Sequence, residues 1–198
     1  TSECDALSSS MTTAAANAVA AGITIFASAG NNGYCDAVSW PACISSVNAV
    51  GAVYDADIGT YYPCISAQSC APKTATANCT TGYYASDTTS ADMVTSYSNS
   101  ASFLTLLAPA NAAYTTDIAG SGGYAQGDYA TSFGGTSAAS PYAAGAAAVL
   151  QSAAKSVRGG FLTPAQVRRK LVGAGDNVVD GKNGMVKPRI NLDRAVAI

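Results

Sequence analysis

The chain has no histidine among its 198 residues. That removes most zinc-site patterns, which draw on His and Cys at short fixed spacings, and no pair of cysteines stands in a C-x-x-C arrangement. It also removes the commonest general base of hydrolytic catalysis. Charge is scarce: 11% of residues are charged and the net charge is -2. Without clustered Lys and Arg there is no electrostatic footprint for nucleic acid. The only glutamate is Glu3. No membrane-length apolar run exists. The most apolar stretch, Tyr142 to Ala154, is alanine-rich, interrupted by Gly145, Gln151 and Ser152, and too short to span a bilayer. The first residues, Thr1 to Asp5, lack the basic and apolar regions of a signal peptide, which does not argue against secretion because a mature chain lacks them too. No internal repeat is present.

What is there suits one globular domain. Hydrophobic residues make up 48% of the chain, far from the low-hydrophobicity, high-charge composition of disorder, and the length suffices for a sizeable core. Six cysteines, Cys4, Cys35, Cys43, Cys64, Cys70 and Cys79, fall mostly in loop-like sequence and read as disulfides formed in an oxidising compartment. The expected location is secreted or extracellular, the periplasm included. Six cysteines allow about 15 pairings. Short spacing suggests Cys35 with Cys43, and one pair among Cys64, Cys70 and Cys79. Asn78-Cys79-Thr80 matches a glycosylation sequon.

Along the chain, Met11 to Ala21 reads as a helix closed by Gly22. Ile23 to Ala27 follows as a β-prone run, then the small residues Ser28 to Gly33, then a second β run from Ile44 to Val53. Helix, strand, loop and strand point to an α/β domain with a mostly parallel sheet. Residues 55 to 92 break the rhythm with three cysteines, Pro63, Pro72 and many Ser and Thr, and read as a long cross-linked insertion, since an unstapled loop of that length is unusual. Val94 to Ser98 and Phe103 to Leu107 resume the strand pattern. Ala112 to Thr116 and Tyr124 to Phe133 are expected to form a hairpin across Gly120 to Gly123. A helix should run from Gly134-Gly135-Thr136-Ser137 to about Lys155. Another should begin at Thr163-Pro164, with Thr163 as N-cap, Val167 and Leu171 inward, and Gly173 as its end. Leu192 to Val196 makes a last short helix.

Gly135-Thr136-Ser137-Ala138-Ala139-Ser140-Pro141 is the segment with chemical content. Glycines before a serine that opens a helix let the chain turn sharply and leave the hydroxyl exposed. There the first N–H groups lack partners and carry partial positive charge, so the Ser137 N–H can donate to an oxyanion formed beside its own Oγ. Pro141 is read as lying within the first turn, where no N–H is needed. Taken alone, the triplet fits a helix cap at least as well.

With Ala144-Gly145 and the alanine-rich helix behind it, this segment resembles the nucleophile region of the subtilisin-like serine peptidases. Phe26-Ala27-Ser28-Ala29-Gly30-Asn31 resembles that family's oxyanion-hole strand and loop. Trp40-Pro41, Ala49-Val50-Gly51-Ala52-Val53, Tyr97-Ser98-Asn99 and Leu107-Ala108-Pro109 match in order. The resemblance covers nearly the whole chain except 55 to 92. It implies the C-terminal portion of one subtilisin-like domain over residues 1 to 198, with Ser137 as nucleophile and Asn31 donating its amide to the oxyanion, a contact worth ~3 kcal/mol. It implies a substrate-residue pocket with Ala27, Ser28, Ala29 and Gly30 on one wall and Ser39 and Trp40 opposite. Trp40-Pro41 is a candidate cis bond.

In that family the triad runs Asp, His, Ser. The Asp and His segments would lie upstream of Thr1, so this chain alone is expected to be inactive and to need an N-terminal half as partner. Two alternatives stand: a catalytically inactive scaffold that acts as a binding module, and a sedolisin-like Ser-Glu-Asp peptidase, which Asn31 and the lone Glu3 disfavour. The expected substrate is a polypeptide bound extended, by strand addition. No cofactor is required for the chemistry. Structural calcium is an option the resemblance raises, but Asp176 to Asn183 lacks EF-hand spacing and reads as a turn, so no metal ligand is named.

Overall fold

A computed structural model describes residues 2–74, 78–80 and 82–197. After α1 (Ser9–Ala20) the chain enters β1 (Phe26–Ser28), and after a long loop β2 (Asn48–Val53). The insertion contributes five short strands: β3 (Thr60–Tyr61), β4 (Cys64–Ser66), β5 (Asn78–Cys79), β6 (Gly82–Tyr84) and β7 (Asp87–Thr88). The main sheet resumes with β8 (Leu106–Pro109), and the hairpin β9 (Ala113–Thr116) and β10 (Tyr129–Phe133) leads into the long helix α2 (Thr136–Arg158). Then come α3 (Pro164–Ala174), β11 (Asp176–Val179), β12 (Val186–Arg189) and α4 (Leu192–Val196).

The central sheet has the order β1-β2-β8-β12-β11, parallel except where β11 pairs antiparallel with β12. β2 is buried along its whole length, the usual fate of a parallel strand covered on both faces. Its pleat sorts side chains by parity. Val50 and Ala52, with Leu106 and Ala108 of β8, join the cluster that includes Ala139, Ala143, Ala147 and Leu150 of α2. Ala49, Val53 and Leu107 face the other way, into a cluster with Leu104, Ala101 and Val178. Alanines on α2 let the helix lie close to the strands, and Val167 and Leu171 of α3 close the same core. α3 opens on the expected cap: Thr163 Oγ1 accepts from Gln166 N, and Gln166 Oε1 accepts from Thr163 N at 2.8 Å, a reciprocal capping box.

Several expectations need correction. Cys35 does not pair with Cys43. The bridges are Cys4–Cys43, Cys35–Cys70 and Cys64–Cys79. The Cys4 N–H donates to Cys43 O, which lays the N-terminal segment beside Cys43 and leaves Cys35 to reach into the insertion. Val94 to Ser98 is not a strand. Only Val94 bridges Val53; the rest closes into a turn through Ser98 N to Thr95 O, and Ser98 Oγ then accepts from Ala52 N. Gly173 does not end α3, which continues to Ala174 with Gly175 as C-cap. Pro141 lies beyond the first turn of α2, which begins at Thr136; its missing N–H denies Ser137 C=O the usual helical donor. Half of the oxygen-rich segment from Asp176 is strand β11. The Asn78 side chain of the sequon lies outside what is described. No helix among the described residues is long and apolar enough to cross a membrane.

Candidate active site

β1 ends pointing at the start of α2, and hydrogen bonds lace the two together. Ser28 Oγ and Ser140 Oγ are 3.0 Å apart. The Gly30 N–H donates to Thr136 Oγ1 at 3.1 Å. Asn31 Oδ1 accepts from both Thr136 N and Thr136 Oγ1, at 2.9 and 2.8 Å. Asn31 and Ser137 are thereby brought together, since Thr136 adjoins the serine. Gly135, the N-cap, has φ +79°, and a Cβ there would sit 3.0 Å from Asn31 Nδ2. Only glycine combines that left-handed backbone with so close a carboxamide.

The helix start leaves particular groups free. Thr136 N is bound to Asn31, while Ala138 N and Ala139 N share Gly135 O. Among the described residues the Ser137 N–H, the Ser137 Oγ and Asn31 Nδ2 have no protein partner, and both residues are exposed. No acidic residue lies in the first turn of α2, so the positive end of the helix dipole is uncompensated. Two unpaired N–H donors therefore flank Thr136 beside an exposed hydroxyl. That is the donor set an oxyanion asks for.

The loop that carries Asn31 is pinned by Asn99, a residue whose role the sequence did not disclose although it lay in a matched stretch. Fully buried, its Oδ1 accepts from Asn32 N and Tyr34 N. Its Nδ2 donates to Ala29 O and Ser39 Oγ, and its N–H donates to Gly30 O. Thr136, likewise buried, is the second residue missed. Ala27 to Gly30 and Ser39 are brought together, with Ser39 N donating to Ala29 O at 2.7 Å. Trp40 is exposed and its bond to Pro41 is cis. Ala29, expected on the pocket wall, is wholly buried, with its N–H donated to Val50 O and its C=O accepting from Ser39 N and Asn99 Nδ2, so it presents nothing to a ligand.

On the other flank of Asn31 lies a cleft of about 500 Å³ between the start of α2 and the insertion. Tyr97 lines it; burial pushes its phenol pKa well up, and its O–H donates to Asn111 Oδ1. It is a neutral donor, not a base. Farther out, Lys182 is buried, and loss of hydration pulls its ammonium down although Asp180 pulls the other way. Lys182 Nζ donates to both Asp180 oxygens and to Thr95 O. A calcium ion does not fit this turn, because its buried carboxylate is already held by the Lys182 ammonium.

The profile of the subtilase family matches residues 1–186.

The chain belongs to the subtilase family.

A search of curated proteins finds no match. Among solved structures, the prenylagaramide maturation protease PagA superposes with a TM-score of 0.65 at 20% identity, covering 96% of this chain and 55% of that one. The patellamide maturation protease PatA gives 0.61 at 24% identity, with 94% and 54% covered. A lanthipeptide protease gives 0.65 at 18%, with 97% and 55% covered. At these identities the likeness shows the subtilase fold. The chain spans about 55% of the length of such structures.

Proposed function

We propose that this subtilase chain is the nucleophile-bearing part of a serine endopeptidase. Ser137 Oγ attacks the carbonyl carbon of a peptide bond, and the oxyanion is met by the Ser137 N–H and Asn31 Nδ2. The amine leaves, and water then releases the acyl group from Ser137. The observation that carries this reading is the Asn31–Thr136 clasp, which sets a free carboxamide N–H beside an exposed serine at a helix N-terminus.

The proton of Ser137 needs a base, and the chain has no histidine. The Asp and His of the triad are assigned to a segment outside these residues. Two features support a partner segment: β1 has a free edge in the sheet, and α2 exposes Pro141, Ala144, Gly145, Ala148 and Ser152 as a small-residue face. Chain 1 to 198 alone is then inactive. Three disulfides support an oxidising, extracellular location.

The test is an active-site serine probe applied to the complete protein. Labelling at Ser137, abolished by Ser137→Ala, is the expected result. Failure of the complete protein to label would replace the enzyme with a scaffold.

A further inference from the structure

We infer that the disulfide-linked insertion is a specificity wall: Ile58 and Tyr61 select an uncharged, apolar or aromatic residue on the leaving-group side of the scissile bond. The inference rests on the peptidase reading above.

The side is fixed by what lines each flank of Asn31. The residues read as the acyl-side pocket, Ala27 to Gly30 with Ser39 and Trp40, do not line the 500 Å³ cleft, whereas Asn31, Gly134 and Gly135 do. A peptide whose carbonyl lies between the Ser137 and Asn31 donors, with its acyl side along β1, sends its leaving amine toward that cleft. The opposite bank is formed by Ile58, Tyr61 and Pro63 of the insertion.

The chemistry of the bank follows from its side chains. Ile58 and Tyr61 are 46% and 42% exposed, so both present apolar surface that a substrate side chain can cover. No carboxylate, lysine or arginine is among the described residues lining the cleft. A charged substrate residue would lose hydration there without gaining a countercharge.

The bank is also fixed relative to the catalytic pair. Tyr61 pairs with Asp87 across β3 and β7 and meets the Tyr54 ring edge-on at 6.3 Å. The Tyr54 O–H donates to Asp87 at 2.8 Å. Ile65, Ala71 and Ala85 root the insertion in the main core. Ser66 N donates to Asn32 O, and Cys35–Cys70 ties the Asn31 loop to the same bank. A wall built as one piece with the oxyanion loop discriminates without first having to be ordered.

The test uses the complete protein and quenched peptides that differ only in the two residues after the cleaved bond. Phe or Leu there should exceed Asp or Lys in kcat/KM by roughly 10- to 100-fold, the range one side chain in an apolar pocket supplies. Ile58→Glu should turn the preference toward Lys. Tyr61→Ala should lower the preference for Phe. Ratios between substrates cancel differences in the fraction of folded enzyme, so a poorly folding variant still reports. Cleavage blind to the downstream residue, or an unaltered preference in Ile58→Glu, would overturn the inference and leave the peptidase standing. A complete protein that neither cleaves nor labels at Ser137 would overturn both.

Discussion

On one bank of the cleft, α2 buries Ala138, Ala139, Ala143, Ala146, Ala147 and Leu150, and its first turn is clasped by Asn31. On the other bank, residues 55 to 92 bury few apolar side chains, among those described Ile65, Ala71 and Ala85. They are held instead by Cys35–Cys70 and Cys64–Cys79 and by buried polar links such as Tyr54 and Ser96 on Asp87. The first bank is packing with a few aimed hydrogen bonds. The second is a covalent and polar frame with little core. Changes on the first should therefore strike catalysis, and changes to the disulfides and buried polar links that hold the second should strike stability.

The largest effect tests the first bank. In the complete protein, Ser137→Ala should cut kcat by about 10⁴-fold or more, and Asn31→Ala by roughly 10²- to 10³-fold with KM nearly unchanged. Ser137→Ala should not shift the denaturant midpoint appreciably, whereas Asn31→Ala strips the buried Thr136 N and Oγ1 of their acceptor and should also lower stability by about 1–3 kcal/mol. The second bank and the turn behind it are tested by Lys182→Met, which strands Asp180, a carboxylate only 2% exposed. Denaturant melts should show a loss of about 3–5 kcal/mol. Replacing Cys35 and Cys70 by serine should cost about 3–4 kcal/mol. If it also lowers kcat more than the Cys64 and Cys79 replacement does, the two banks are mechanically joined. Gly135→Ala strains a left-handed position by about 1–3 kcal/mol and crowds Asn31, so it should blur the comparison by affecting both readouts.

The smallest effect lies outside both banks. Hydrogen bonds from Asn191 and Arg194 hold the Asp176 carboxyl below its usual value. A depressed carboxylate contributes stability that is present above the unfolded pKa of about 3.9 and is lost as pH falls through the lower folded value. Asp176→Asn should flatten the acid limb of a stability-against-pH curve by slightly lowering the neutral plateau, where the contribution of the charged carboxylate is otherwise present.

The contrast between the banks also explains what could be read in the sequence. α2, β2 and the β9–β10 hairpin were legible because period and turn chemistry encode them, whereas β8 begins only at Leu106, beyond the turn that holds Phe103. Ser137 and Asn31 were picked out by short motifs placed in order, and the structure sets them side by side through Thr136. Thr136 and Asn99 were not, because a buried side chain that bonds several main-chain groups leaves no pattern in composition or spacing. Val94 to Ser98 misled for a related reason: its residues are buried, yet they serve as hydrogen-bond donors and acceptors rather than as a strand. The insertion was recognised as cross-linked, and the pair expected among Cys64, Cys70 and Cys79 is Cys64–Cys79; Cys35 was misassigned because its partner Cys70 lies 35 residues away, beyond the nearer Cys43.

Cys4–Cys43, Cys35–Cys70 and Cys64–Cys79 enclose stretches that overlap end to end. From Cys4 to Cys79, every peptide bond lies inside at least one covalent ring. A single backbone nick anywhere in that stretch would open a ring without separating the chain into two molecules. For a protein whose trade is proposed to be cutting polypeptides, the segment bearing Asn31 would stay attached through an accidental self-inflicted cut.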